Sequence, residues 1–303
     1  MYARLCRWRG RGSRSRHALS GSRSAGTVRA TNYAVVGHVE WCDFVRVEQL
    51  PLSGEIVHAD AHFAEPAGGG AVAAVELARL AGDALFFTAL GDDELGARAR
   101  QRLGELGVTV FASEQRLPQR RALVFLEQGG ERTITVLGSR LGPAGAEPLP
   151  WQRLAGAAVY FAAGDRAALE RARQGRVLVA TARALDVLRG SGVAVDVLVR
   201  SGRDRGERYE PGWLEPPPRV VVTTLGRDGG YAELAGGGRL EWRAETVADD
   251  EVADTYGAGD CFAAGLTWAL GSGRELAEAL AVAAHCGAAC VRRQGPYGSQ
   301  IAG

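Results

Sequence analysis

Lysine is absent from this chain: every one of its 36 basic side chains is arginine. No lysine amine can cradle a phosphate in the Walker manner or form a Schiff base, so both chemistries are excluded. We attribute the skew to a GC-rich coding sequence. Cysteine is scarce. The five that occur (Cys6, Cys42, Cys261, Cys286 and Cys290) form no CxxC pair and no Cys/His zinc spacing. They fit buried thiols in a reducing compartment, and hence a cytoplasmic protein, better than disulfides or bound metal. Long apolar runs are missing too. The nearest, Leu276 to Val291, is broken by Glu278, His285 and Gly287, so no membrane span is expected.

Acidic residues are missing from the start of the chain, where the first carboxylate is Glu40. Residues 1–30 hold eight arginines and no acid. Such an Arg/Ser/Gly leader buries no core, and residues 1–31 are expected to be disordered. It has the composition of a transit-like peptide. Upstream sequence read from a misassigned start codon is the explanation we favour. Beyond it, 28 arginines face 35 acids, a balance of about −7, which argues against a nucleic-acid partner.

What is present is a 303-residue chain with 46% apolar residues, enough for one large α/β domain with a small accessory element. The domain is expected over residues 32–303. Tyr33 to Gly37 reads as a buried strand, followed by extended runs at 44–50 and 55–63. Helices are predicted over 71–80 and 94–106, with a β-like run between them at 84–90. The runs 121–127 and 132–137 flank Gly129-Gly130 as a hairpin. After residue 150 the rhythm becomes strand and helix in alternation. Strands are predicted at 157–161, 176–180, 195–199 and 219–224, then a hairpin over 231–242 and two closing helices, 260–270 and 275–292. The alternation implies a parallel sheet covered by helices on both faces.

The chemistry concentrates at Asp254-Thr255-Tyr256-Gly257-Ala258-Gly259-Asp260, where a loop becomes the apolar helix that begins Cys261-Phe262-Ala263. Amides at a helix start favour an anion, and flanking glycines let backbone approach it closely. Asp260 then stands where a base would meet a hydroxyl beside a transferring phosphoryl group. A glycine-rich turn before any apolar helix would look similar, but needs no aspartate at both ends. This stretch resembles the DTxGAGD signature of the ribokinase-like (PfkB) carbohydrate kinases, matching at every defined position. The resemblance extends over nearly all of 33–303. It implies a three-layer α/β/α domain with a mainly parallel sheet and a small β-sheet lid, drawn from segments near 44–63 and 120–138. It further implies ATP and Mg²⁺, with a monovalent cation left open. It also implies a homodimer formed through the lid.

Three further stretches resemble the family's motifs. Gly68-Gly69-Gly70 leading into an alanine-rich helix is similar to the turn at the sugar pocket, although small residues also serve helix–sheet packing. Thr224, Gly226 and Gly229, in Thr224-Leu225-Gly226-Arg227-Asp228-Gly229, are similar to the strand and loop that contact phosphate or ribose. Ser201-Gly202-Arg203-Asp204 stands where the family has N-x-x-E. There Ser201 and Asp204 would serve the nucleotide, Asp204 touching Mg²⁺ through water, with Glu207 as a weaker substitute. Asp254 and Thr255 are assigned to the phosphate loop or the metal's water shell. Arg183 stands near a family arginine but reads as surface. The loop Gly295-Pro296-Tyr297-Gly298 resembles the adenine wall.

Two departures bear on the acceptor. Family members commonly place an asparagine where Val72 stands and a sugar-anchoring aspartate where Cys42 stands. Neither replacement reads a diol. Glu40 shares the parity of Cys42 along an extended chain and is expected to supply the carboxylate, with Asp43 as the alternative if the first strand has already ended. The sequence therefore predicts an ATP-dependent kinase for a sugar or sugar-like hydroxyl, with Asp260 as base and Gly257, Ala258 and Gly259 as the anion hole. A nucleoside kinase of the same fold and a catalytically weak sugar- or nucleotide-binding sensor are the alternatives.

Overall fold

A computed structural model describes residues 33–127, 132–292 and 294–298. The predicted leader and the Gly129-Gly130 turn lie outside them. Strand β1 (Tyr33–Val36) opens the chain and leads into β2 (Glu40–Val47) and β3 (Ala61–Ala67). Helix α1 (Gly69–Ala81), β4 (Ala84–Gly91), α2 (Glu94–Glu105) and β5 (Val108–Gln115) follow, then β6 (Arg121–Glu127) and β7 (Arg132–Leu137). The second half runs β8 (Ala158–Phe161), α3 (Arg166–Ala172), β9 (Val177–Thr181), α4 (Leu185–Leu188), β10 (Val197–Ser201) and β11 (Val220–Thr224). It closes with β12 (Gly230–Leu234), β13 (Arg239–Trp242), α5 (Ala258–Gly271) and α6 (Leu276–Cys290).

Nine strands form one sheet in the order β13-β12-β11-β10-β9-β8-β1-β4-β5. All neighbours from β11 to β5 are parallel, and the late hairpin β12–β13 adds an antiparallel edge. Side chains of β1 alternate between two cores. Val35 joins α1, α5 and α6 on one face, while Ala34 and Val36 join α3 and α4 on the other. That is the three-layer arrangement expected, and period-two alternation produces it. The chain leaves β1 toward β4 on one side and later returns with β8 on the other. The sheet's switch point therefore lies at the carboxyl end of β1, where a ligand crevice forms in open α/β sheets.

The second sheet has the order β3-β2-β6-β7, with β2–β6 parallel and the outer pairs antiparallel. Three expectations need correction. The run at 55–63 is strand only from Ala61, because Gly54 turns the chain and Ile56 stays exposed with no sheet to join. The strand β5 was not foreseen, since Val108-Thr109-Val110 follows a helix without a turn cluster. Glu40 and Cys42 are not an extension of the first strand. β1 ends at Val36, and both residues belong to the lid strand β2.

Candidate active site

Helix α5 starts at the switch point. Gly257 precedes it with φ +80°, a conformation natural to glycine, and no side chain caps the helix. A Cβ on Gly257 would stand 3.0 Å from Val72, so α1 closes the loop from behind. Gly259 is exposed and has nothing within 4 Å of where its Cβ would be, which leaves its backbone open to an approaching anion. Asp254 is buried. Its carboxylate accepts the N–H of Tyr256 at 2.7 Å and that of Gly295 at 3.1 Å. Asp254 therefore shapes the loop. Both of its oxygens are engaged by backbone amides.

Asp260 sits in the first turn of α5 against the start of α1. A Cβ at Gly69 would fall 2.6 Å from its Oδ1. The end of β1 is equally close to α1, since a Cβ at Gly70 would fall 2.7 Å from the His38 amide nitrogen. The Gly68-Gly69-Gly70 run thus lets helix, strand and carboxylate meet. Asp260 keeps part of its surface open to the cleft, while protein encloses the rest. Burial pushes its pKa up to about 6. Arg183 and Arg132 oppose the shift, and Glu207 and Glu40 add to it. A carboxylate so poised is a base at neutral pH that still binds a proton readily.

Tyr256, the variable position of the motif, crosses to the sugar-pocket turn. Its hydroxyl accepts the Gly68 N–H at 2.9 Å and lies 3.5 Å from Cys42 Sγ. Cys42 is thereby occupied inside the protein, and burial raises its thiol pKa to about 12. Sequence reading assigned Tyr256 no role, because only the fold brings residues 42, 68 and 256 together.

Glu40 faces the same side of β2 as Cys42, as parity required. It is not a free acceptor. Arg120 Nε stands 2.9 Å from Glu40 Oε1, and His38 Nε2 lies 3.9 Å away. Burial raises its pKa, with Arg120 and Arg140 opposing. Asp43 points elsewhere, pairing with Arg121 at 2.8 Å and with His62 at 3.4 Å. Arg120 and His38 were not singled out from the sequence. Arg120 stands before β6 with no motif around it.

On the nucleotide side, Ser201 ends β10 and Thr224 ends the neighbouring β11, paired in register. Ser201 Oγ accepts the amides of Arg203 and Asp204, both at 3.2 Å. The tight turn at Gly229 brings it against β13, where a Cβ would collide with the Trp242 carbonyl at 2.1 Å. Gly226 lies at the mouth beside the Arg203 guanidinium. Asp204 caps Gly206 N–H at 2.8 Å and pairs with Arg183. Glu207, the weaker candidate from sequence, is the more enclosed carboxylate. It accepts the Ser201 N–H at 2.6 Å and pairs with Arg183 Nε at 2.8 Å. Arg183 is exposed, as read from sequence, and also ties this carboxylate pair together, and its charge acts on Asp260. From the lid, Arg132 donates to Thr255 Oγ1 at 2.6 Å.

Among the described residues no group of three or more His, Cys, Asp or Glu could hold a metal ion. No helix among the described residues is long and apolar enough to cross a membrane.

A half-buried carboxylate at a helix start, an open glycine loop at a sheet switch point and a small second sheet beside them suit phosphoryl transfer. The family model for pfkB family carbohydrate kinases matches residues 30–200 and 213–302, and the chain belongs to that family. It is a carbohydrate kinase that uses ATP to phosphorylate an alcohol group of a sugar or nucleoside. The chain is 30% identical over 286 residues to an ATP-dependent ribose-1-phosphate kinase of Halopiger xanaduensis, covering 86% of this chain and 91% of that one. Among solved structures it is similar to ribokinase from Thermotoga maritima (TM-score 0.71, 21% identity, 90% and 96% of the two chains). It is also similar to Arabidopsis thaliana ribokinase complexed with ribose and ATP (TM-score 0.69, 22% identity, 90% and 96%). Adenosine kinase from Sinorhizobium meliloti gives a TM-score of 0.71 at 20% identity, over 88% and 95%.

Proposed function

We propose that Asp260 is the base of the transfer. It takes the proton of the acceptor hydroxyl as that oxygen attacks the γ-phosphorus of ATP and ADP leaves. The observation that carries this is its position in the first turn of α5, open to the cleft and against Gly69, with its pKa raised to about 6. The amides of Gly257, Ala258 and Gly259 hold the charge on the transferring phosphoryl oxygens. Thr224, Gly226 and Gly229 line the nucleotide side with Ser201 and Thr255. Gly68, Gly69 and Gly70 let the acceptor lie close to the base, and Asp254 keeps the loop in shape.

Mg²⁺ would neutralise charge on the nucleotide phosphates, reached through water from Asp204 or Glu207. The lid sheet excludes water from the transfer. Its outer strand β7 exposes Ile134, Val136 and Leu137, which fit a second copy of the chain. Dependence on ATP and the buried free thiols Cys42, Cys261, Cys286 and Cys290 favour a cytoplasmic setting. The acceptor is a sugar or nucleoside, and the ribose-1-phosphate kinase relative brings phosphorylated sugars into range. The test is ADP release from ATP across a panel of these acceptors, with Asp260→Asn as control. Acceptor-dependent turnover that the variant lacks is expected. Equal turnover by the variant would overturn the assignment.

A further inference from the structure

A permanent side-chain cation on the transferring phosphoryl group has to be arginine in this chain, because lysine is absent. Arg183 and Arg132 both bear on Asp260. Arg183 is neutralised where it stands, since Asp204 and Glu207 both pair with it. Arg132, the first residue of β7, is exposed and has no carboxylate partner among the described residues. Its Nη1 donates to Thr255 Oγ1 at 2.6 Å, and the rest of the guanidinium makes no hydrogen bond among those residues. Sheet register explains this reach. Arg132 pairs with Leu126 and Leu126 with Arg46, so the three share one face of the small sheet. Phe44, two residues before Arg46 on β2, lies on the same face and meets Tyr256 edge-on, with 5.1 Å between ring centroids. The face that carries Arg132 is therefore the one turned to the Asp254–Asp260 loop. Arg132 stands at its outer strand, against Thr255, two residues before Gly257. Arg46 is two strands away, exposed, and has no ion pair among the described residues.

We propose that Arg132 is a catalytic residue: with ATP bound, its guanidinium contacts the γ-phosphoryl oxygens through the N–H groups that Thr255 leaves open. The proposal rests on the reading of Asp260 and the glycine loop as the transfer site. The acceptor oxygen bonds to the γ-phosphorus while the γ-phosphorus bond to the β–γ bridging oxygen breaks, and charge spreads over the equatorial oxygens between them. The hydroxyl proton passes to Asp260, and ADP leaves. Arg132 exchanges no proton, because a guanidinium stays charged, and its planar fork can hold Thr255 and a phosphoryl oxygen together. Its contribution belongs to the transition state, so it appears in kcat rather than in KM.

The experiment uses the purified full chain with ATP and Mg²⁺, and ribose, ribose 1-phosphate and adenosine as acceptors. Arg132→Ala should lower kcat about 100-fold or more, with both KM values within about three-fold of wild type and an unchanged melting temperature. Arg132→Lys should recover part of the loss, and so should guanidinium chloride added to the Ala variant. Arg46→Ala removes an equal charge two strands away and should keep kcat within about three-fold. A kcat for Arg132→Ala within about three-fold of wild type would overturn the proposal and leave the kinase standing, as would an equal loss from Arg46→Ala. Titration calorimetry gives a second reading that needs no turnover. ADP and Mg²⁺ with aluminium fluoride, a mimic of the transferring phosphoryl group, should bind the wild type about ten-fold or more tightly than ADP and Mg²⁺ alone. Loss of that gain in Arg132→Ala, with ADP affinity kept, supports the contact even if Asp260→Asn stays active, in which case the base assignment alone fails. A gain retained by Arg132→Ala, or absent from the wild type, overturns the contact.

Discussion

Gly69 and Asp260 stand so close that a single methyl group on the glycine would lie 2.6 Å from Oδ1 of the aspartate. Helices α1 and α5 are thereby built around one missing side chain. Gly69 has an ordinary backbone conformation, so the constraint is one of space.

Gly69→Ala should therefore fold but turn over poorly. The new methyl displaces the carboxylate, and a misplacement of about 1 Å can cost about 100-fold in rate. Steady-state kinetics should show the loss in kcat, with circular dichroism and melting temperature close to wild type. An unchanged kcat would place Asp260 outside the chemistry.

Asp260 also sets the pH response. A base with a pKa of about 6 loses activity as pH falls through that value, so kcat/KM should drop about ten-fold per unit below it and level off above it. Asp260→Asn should cost several orders of magnitude. Because the folded-state pKa is raised, this residue's stabilising contribution is present below its unfolded pKa and is lost as pH rises through about 6. The Asn variant should consequently melt at or above the wild-type temperature at pH 8. A lower melting temperature there would refute the assigned environment.

Glu207 raises the pKa of Asp260 by its charge and also engages Arg183. Glu207→Gln removes that charge and frees the guanidinium, and both changes favour ionised Asp260. The acid limb of the kcat/KM profile should move below pH 6. Asp204→Asn, at a more exposed carboxylate, should move it less. A larger shift from Asp204 would reverse the ranking of the two.

Glu40 and Asp43 are neighbours on β2 that face opposite ways. Glu40→Gln leaves Arg120 without its counter-charge in an enclosed site, so the acceptor KM should change about ten-fold or more, upward for a neutral acceptor and downward for an anionic one. Asp43→Asn breaks only half-exposed pairs with Arg121 and His62 and should leave acceptor KM within about two-fold. Titrating acceptor and ATP separately distinguishes the two variants.

The sequence alone determined the parallel sheet, the lid segments near 121–137 and the glycine loop that leads into α5 at Asp260. These are local properties: alternation of period two, helical spacing, and contiguous residues in one turn. Even the shared face of Glu40 and Cys42 followed from parity, although the strand carrying them was misplaced. Tertiary structure decided what those residues touch. Whether Glu40 is free or tied to Arg120, whether Cys42 reaches a ligand or Tyr256, and which carboxylates the exposed Arg183 clasps all depend on contacts between distant segments. No periodicity encodes such contacts. Burial then set the chemistry: the same carboxyl group that would titrate near 4 in an open chain is held near 6 at the start of α5, because the fold removes water from one side of it.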